Sequence, residues 1–124
     1  MPYLNITTNA PVNKRQKETI ERAMSKAILL IPKEKEELLM VNFEDCASLS
    51  LSGDFSTPAA MIELRVHNVV IEMNEAELLE KVMSLATEVV SKVLDICPDR
   101  IYCTMPAVPY WTAAGLEILK GILK

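Results

Sequence analysis

Hydrophobic and polar residues alternate along several short segments of the chain, which is the pattern of β-strands with one buried face. Residues 3–8 alternate in this way, and residues 60–66 repeat the pattern. The apolar runs at 38–43 and 100–105 predict two further strands, and residues 48–51 predict a short one. The chain is therefore expected to contain four main strands.

Two segments between these strands show the 3.6-residue period of amphipathic helices. The first apolar stripe consists of Ile20, Ala23, Met24, Ala27, Ile28 and Ile31. The second consists of Leu78, Val82, Leu85, Val89 and Val93. Asn13, followed by Gln16 three residues later, predicts a capping box at the start of the first helix. Asn74 with Glu77 predicts the same cap for the second helix.

The order of strand, Asn-capped helix, proline and strand occurs twice, with the two copies about 60 residues apart. This order predicts an α+β, two-layer fold, in which two pseudo-repeated βαβ units form a four-stranded mixed sheet with both helices on one face. A single domain, 1–124, is expected from the chain length. The face of the sheet without helices is expected to be apolar and to be covered by another copy of the chain. The segment after residue 105 is expected to end as a short helix.

Composition and charge exclude several classes of function. Hydrophobic residues make up 50% of the chain and charged residues 24%, as in folded globular proteins. The formal net charge of −4, without a basic stripe, argues against nucleic acid as a partner, and three glycines form no phosphate-binding loop. Neither a membrane-spanning segment nor a signal peptide is expected. The sequence predicts a cytoplasmic protein, or one secreted without a signal peptide.

Few residues offer acid–base or metal chemistry. Three cysteines, Cys46, Cys97 and Cys103, have no zinc-type spacing, and His67 is the single histidine, so neither a metal nor a cofactor is expected. Pro2 is a different kind of candidate. If Met1 is removed, the new N-terminus is a secondary amine on the first residue of a core strand, where it can accept a proton. Judged on that dipeptide alone, a proline that merely starts a strand is the commoner explanation.

Several short stretches, taken together, match a known family in order and spacing. They are Met1-Pro2-Tyr3-Leu4 with Thr8-Asn9, Lys33 after the first helix, Leu51-Ser52-Gly53 before Pro58-Ala59, and Pro98-Asp99-Arg100-Ile101-Tyr102. In these stretches the chain resembles the macrophage migration inhibitory factor and D-dopachrome tautomerase branch of the tautomerase superfamily. The resemblance implies a homotrimer that catalyses cofactor-free keto–enol tautomerisation of small anionic carbonyl compounds, such as phenylpyruvate or dopachrome.

The resemblance also implies roles for particular residues. Pro2 matches the catalytic base, Lys33 the lysine that binds the substrate carboxylate, and Tyr102 an aromatic residue placed over the pocket by a neighbouring subunit. His67 and Thr104 are expected to contact the substrate, because they stand where the family carries Ile-Gly and an asparagine in the pocket wall. The chain departs from the family at 32–34, where Pro-Lys-Glu replaces Gly-Lys-Pro.

Each of these residues also has a plainer explanation. Lys33 starts a solvated charged run, Tyr102 packs on an apolar strand, and His67 ends a strand. The alternative function is a catalytically weak or inactive, cytokine-like trimer that binds a ligand or a protein receptor. A third interpretation is a structural trimer that binds no ligand. Retention of Met1 would make the Pro2 nitrogen an amide and exclude it as a base.

Overall fold

Two long helices pack on one face of a mixed β-sheet in the computed structural model, which describes residues 2–117. The helices are α1 (Lys14–Ala27), α2 (Asn68–Met73) and α3 (Ala76–Leu94). The main strands are β1 (Tyr3–Thr8), β2 (Met40–Glu44), β3 (Ala60–His67) and β4 (Ile101–Thr104). Three two-residue strands follow, which are β5 (Ala107–Val108), β6 (Thr112–Ala113) and β7 (Leu116–Glu117).

The sheet topology confirms the doubled βαβ fold. The strand order is β2-β1-β3-β4, with β5 added to the end of β3. β1 pairs in parallel with β2, and β3 pairs in parallel with β4, so β1-α1-β2 and β3-α3-β4 are the two repeated units. The central pair, β1 with β3, is antiparallel and joins the two halves. The fold is therefore the predicted α+β, two-layer arrangement with a mixed sheet.

The hydrophobic core lies between the sheet and the helices. Strand alternation points one set of side chains toward the helices, and this set is buried: Leu4, Ile6, Ile62, Leu64 and Val66. Ile20 and Met24 of α1 are fully buried against it. In α3 the buried residues are Leu79, Val82, Ala86, Val90 and Leu94, whereas the other predicted stripe positions are half-buried. The apolar surface of α3 is wider than the predicted stripe, and Ala86, which has a small side chain, is one of its buried residues.

The other face of the sheet is largely polar, which corrects the expectation of an apolar face. Cross-strand register places these side chains on it: Tyr3, Asn5, Thr7, Met40, Asn42, Glu44, Met61, Glu63, Arg65, Tyr102 and Thr104. The Asn42 Nδ2 donates a hydrogen bond to Asn5 Oδ1 at 2.8 Å, so polar groups satisfy one another across the strands. Hydrophobic burial of this face therefore supplies little drive for self-association.

One predicted helix cap is confirmed and the other is wrong. The Gln16 backbone N–H donates to Asn13 Oδ1 at 2.8 Å, and the Asn13 N–H donates to Gln16 Oε1 at 2.9 Å, which is a complete capping box. Asn74 instead donates from Nδ2 to the Val70 carbonyl at 2.8 Å, and α3 begins after Glu75. The reason is the additional helix α2, which places Asn74 at its C-terminal end.

Residues 48–51 do not form the predicted strand. The loop around them is held by side-chain hydrogen bonds instead of backbone hydrogen bonds to a neighbouring strand. Leu51 makes only an isolated bridge with Asp54. The Asn9 Nδ2 donates to the carbonyl oxygens of Leu49, Phe55 and Thr57, at 3.3, 2.9 and 3.0 Å. Arg100 donates to the carbonyl oxygens of Pro58, Thr57 and Asp54, at 3.0, 3.1 and 3.2 Å. Asn9 and Arg100 thus clamp this loop from two sides.

The segment after β5 also differs from the prediction. Residues 112–117 of the segment that was expected to end as a short helix form the antiparallel β6–β7 hairpin, and the end of that segment falls in residues 118–124, outside the described part of the chain. The turn residues Ala114 and Gly115 have φ of 54° and 76°, values that a helix does not use. No helix within residues 2–117 is long and apolar enough to cross a membrane.

The capping box gives a first testable prediction. Replacing Asn13 by Ala removes the acceptor for the Gln16 N–H and should lower the free energy of unfolding by about 1 kcal/mol. Asn13→Ser keeps an acceptor at the cap and should stay within a few tenths of a kcal/mol of the original protein. Urea unfolding of the three proteins at one protein concentration is the measurement. Equal stability of the Ala and Ser variants would contradict the role of the cap.

Candidate functional site

Pro2 is buried at the start of β1, beside a cavity. Its carbonyl oxygen accepts a hydrogen bond from the Met40 N–H at 3.2 Å, which fixes Pro2 beside the start of β2. The cavity has a volume of about 540 Å³. Its lining consists of Pro2, Tyr3, Glu37, Leu38, Leu39, Met40, Trp111, Thr112, Ala113 and Ala114. The wall is thus mainly apolar, with a carboxylate from Glu37 and hydroxyl groups from Tyr3 and Thr112.

Lys33 lies in a strained turn between α1 and β2. Its φ of 70° is in the left-handed region, which costs a residue with a Cβ atom about 1–2 kcal/mol. The side chain is exposed and borders a small cavity of about 70 Å³, whose other walls include Glu34, Val69 and Val70. Lys33 does not line the larger cavity beside Pro2.

His67 is the last residue of β3 and caps α2, and it is only 5% exposed. Its Nδ1 accepts a hydrogen bond from the Val69 N–H at 3.1 Å. A neutral imidazole has one donor and one acceptor nitrogen, so the proton is on Nε2. Within residues 2–117, this buried Nε2 has no hydrogen-bond partner. An unmade hydrogen bond of a buried group typically costs about 1–3 kcal/mol.

These three residues lie around the same end of the sheet. The register pairs Tyr3 with Arg65, so Pro2 follows beside Val66 and close to His67. The Val69 N–H that binds His67 belongs to a residue that also lines the Lys33 cavity. The start of β1, the end of β3 and the turn after α1 therefore lie around this end of the sheet.

Tyr102 and Thr104 lie elsewhere in the same chain. Tyr102 is opposite Met61 and is 59% exposed on the open face of the sheet. Met61 in turn lies opposite Thr7, so Tyr102 is about 17 Å along the strands and about 10 Å across them from Pro2. Thr104 is exposed on the same strand. Neither residue therefore lies beside the Pro2 cavity of its own chain.

Sequence reasoning missed several residues near Pro2. Arg65 places its guanidinium 5.4 Å from the centre of the Tyr3 ring and lies 3.5 Å from the Glu63 carboxylate. The alternation in 60–66 puts Arg65 on the polar face, but only the register with β1 puts it on Tyr3. Trp111 and the β6–β7 hairpin reach the cavity from the far end of the chain, and no sequence pattern signals that contact.

Two of the three thiols, those of Cys97 and Cys103, are poor candidates for an alternative reaction centre. Burial raises the pKa of the Cys103 thiol to about 11, and this residue lines a cavity of about 680 Å³ beside α3. A hydrogen bond with Asp99 raises the pKa of the Cys97 thiol. Both thiols therefore stay protonated near neutral pH and are poor nucleophiles. Among residues 2–117, no three His, Cys, Asp or Glu side chains come together as a metal site.

Comparison with known proteins identifies the fold. No protein-family model and no curated protein sequence matches the chain. Solved structures do match: Leishmania major MIF2 superposes with a TM-score of 0.81 at 17% identity, covering 94% of this chain and 97% of the other. The macrophage migration inhibitory factor homologue from Prochlorococcus marinus gives 0.77 at 21% identity, covering 93% and 97%. The chain has the macrophage migration inhibitory factor fold.

A fused 4-OT protein, a symmetric trimer, shares this fold. It superposes with a TM-score of 0.79 at 14% identity, covering 96% of this chain and 98% of the other. The superpositions establish the macrophage migration inhibitory factor fold. At identities this low they do not establish the chemistry of the pocket, which depends on this chain's own residues. Pro2 lines this pocket, while the strained Lys33 and the buried His67 lie outside its lining, around the same end of the sheet.

The left-handed backbone of Lys33 generates a second prediction. Glycine adopts a positive φ without the steric penalty that a Cβ atom brings. Lys33→Gly should therefore be more stable than Lys33→Ala by about 1 kcal/mol, whereas in ordinary backbone the alanine variant would be the more stable one. Denaturant unfolding of both variants gives the comparison.

Asp95 provides a matched control for this pair. It ends α3 with φ of 54° and lies away from the Pro2 cavity, so Asp95→Gly should likewise exceed Asp95→Ala in stability. If the alanine variant is the more stable one at position 33 but not at position 95, the strain assigned to Lys33 is wrong.

Proposed function

We propose that this chain is a cofactor-free keto–enol tautomerase of small anionic carbonyl compounds, of the phenylpyruvate or dopachrome type, with the N-terminal amine of Pro2 as the general base. The observation that carries the proposal is the burial of Pro2 at the start of β1, beside a largely apolar cavity of about 540 Å³. A cytoplasmic location, or secretion without a signal peptide, is part of the proposal.

The chemistry requires removal of Met1, which turns the Pro2 nitrogen into a secondary amine. An ordinary α-amino group has a pKa of about 7.7–8.0, and burial disfavours the charged form, so a buried amine is available as a base near neutral pH. The amine takes the proton from the carbon next to the substrate carbonyl. The electrons of that C–H bond form the enol double bond, and the carbonyl π electrons move to oxygen. The protonated amine then gives the proton to the enolate oxygen, which completes the tautomerisation and restores the free base.

Lys33 is proposed to bind the substrate carboxylate. Its ammonium group is exposed, and a backbone held in a strained conformation is a feature of functional turns. His67, at the same edge of the sheet, is proposed to contact the substrate as well.

A homotrimer is proposed to complete the site. The same fold occurs in the fused 4-OT symmetric trimer. Tyr102 is exposed on β4, and both β2 and β4 are edge strands of the four-stranded sheet, which can pair with another chain. In the trimer, Tyr102 and Thr104 of one copy would contact the substrate over Pro2 of the next copy. The polar open face makes edge pairing, and not an apolar face, the basis of this assembly.

Two observations favour the alternative, a catalytically weak or inactive cytokine-like trimer that binds a ligand or receptor. Lys33 borders a different cavity from Pro2, and the cavity at Pro2 has an acidic side chain, Glu37, in its wall. A carboxylate at that position repels an anionic substrate. Turnover of substrate by protein that is verified to lack Met1 decides between the two functions.

The role of Pro2 gives the third prediction. Pro2→Gly keeps a primary amine but loses the fixed ring, and it should lower kcat/KM by about 10²–10⁴-fold, the usual contribution of general acid–base catalysis. Lys33→Ala should mainly raise KM, because uniform binding of a carboxylate does not change kcat. The measurement is turnover of phenylpyruvate and of D-dopachrome methyl ester.

Intact mass spectrometry serves as the control for both variants, since only protein without Met1 has a free amine. Activity of Met-free original protein equal to that of Pro2→Gly would remove the base assignment. A folded, Met-free and inactive original protein would leave the binding protein as the better function.

The trimer gives the fourth prediction, tested by mixing inactive variants. If each site takes Pro2 from one copy and Tyr102 from the next, random trimers of Pro2→Gly and Tyr102→Ala subunits should regain about a quarter of the original sites. Native mass spectrometry verifies that mixed trimers form. Sedimentation showing a stable monomer at micromolar concentration, or mixed trimers without regained activity, would contradict the shared site.

A further inference from the structure

The His67 imidazole has one nitrogen satisfied by the fold and one that the fold leaves without a partner. Nδ1 is the acceptor for the Val69 N–H, which holds the ring in place and leaves the proton on Nε2. Nε2–H is buried and has no acceptor among residues 2–117. A donor held in this way is oriented in advance for an acceptor that arrives from outside the described fold.

The surroundings of His67 indicate from which side that acceptor comes. On one side of β3, His67 pairs with Val108 of β5, and ahead of it lies Val69 of α2. Neither valine carries a side-chain acceptor. On the other side of β3 lies the start of β1, where Pro2 is the first described residue. The acceptor therefore approaches from the N-terminal side.

The distance between His67 and Pro2 suits a shared substrate. In the antiparallel register, Pro2 is beside Val66, and His67 is one residue further along β3. Strand spacing and rise put the Cα atoms of Pro2 and His67 about 6 Å apart. His67 is not among the residues that line the cavity beside Pro2, but this separation lets one small substrate reach both the amine and the imidazole.

We infer that His67 is a catalytic hydrogen-bond donor of this site, whose neutral Nε2–H binds the carbonyl oxygen of an α-keto acid substrate and stabilises the enolate. This inference rests on the proposed function and adds the group that receives the developing charge. As Pro2 removes the α-proton, the C–H electrons form the C=C bond and the carbonyl π electrons move to oxygen. A donor aimed at that oxygen is more strongly bound in the transition state than in the ground state.

Two substitutions separate this role from the structural role of His67 as a cap. His67→Asn keeps a side-chain oxygen for the Val69 N–H but is too short to replace Nε2, so it should fold and lose about 10²–10³-fold in kcat, with KM little changed. His67→Gln restores a donor near the position of Nε2 and should recover part of the lost rate. Loss of rate in neither variant, or equal loss in both with raised KM, would overturn the inference.

A spectroscopic measurement tests the donor without relying on turnover. His67 is the only histidine of the chain, so protein labelled with ¹⁵N-histidine gives a single pair of imidazole signals. Free Met-free protein at pH 7.5 should show the Nε2–H tautomer. Addition of phenylpyruvate to Met-free Pro2→Gly protein, in which turnover is slow, should move the Nε2–H proton downfield.

This second measurement keeps the inference distinct from the proposed function. If Met-free original protein is inactive but phenylpyruvate shifts the Nε2–H signal, the tautomerase function fails while His67 stands as a ligand donor. If the protein is active and His67→Asn turns over normally, the function stands and the inference is wrong. An imidazolium or Nδ1–H signal, or phenylpyruvate binding seen by calorimetry without a shift, also overturns it.

Discussion

The antiparallel pairing of β1 with β3 is the interaction on which the rest of this structure depends. Six residue pairs, from Tyr3 with Arg65 to Thr8 with Ala60, join the two βαβ halves into one sheet. The side chains alternate between faces, so a slip of one residue would move Leu4 and Ile6 from the core to the open face. The core therefore locks the register, and the register sets which residues lie beside the N-terminus.

The chemical features of the site follow from that pairing. A buried proline, a buried histidine and a strained lysine lie around one end of the sheet, although they are distant in sequence. Two of the three are costly in a protein selected for stability alone: Lys33 has a left-handed backbone, and the buried Nε2 of His67 has no hydrogen-bond partner among the described residues. Two residues that lower the stability of the fold at one end of the sheet are typical of a site where function competes with stability.

Several of the stretches that resemble the tautomerase superfamily have a structural role in this chain. Asn9 and Arg100 hold the loop at 54–59 through backbone carbonyls, and Gly53 supplies a φ of 77° for the turn that begins it. Thr8 adds a hydrogen bond to the Ala59 carbonyl at 2.7 Å. A match in these stretches therefore indicates the fold. The proposed activity rests instead on Pro2, Lys33 and His67, around the end of the sheet where β1 begins.

The sequence by itself determined much of the local structure: the four main strands, the two long helices, the Asn13 cap and the doubled order of elements agree with the structure, because they depend mainly on neighbours within a few residues. It also identified Pro2, Lys33 and His67 as candidates through a resemblance. Only the tertiary structure decided the rest. The α2 helix at Asn74, the polar open face, the Arg65–Tyr3 contact and the hairpin beside Pro2 depend on register and on packing between distant segments. Periodicity reports which face of an element is apolar, but it carries no information on which strand lies beside it.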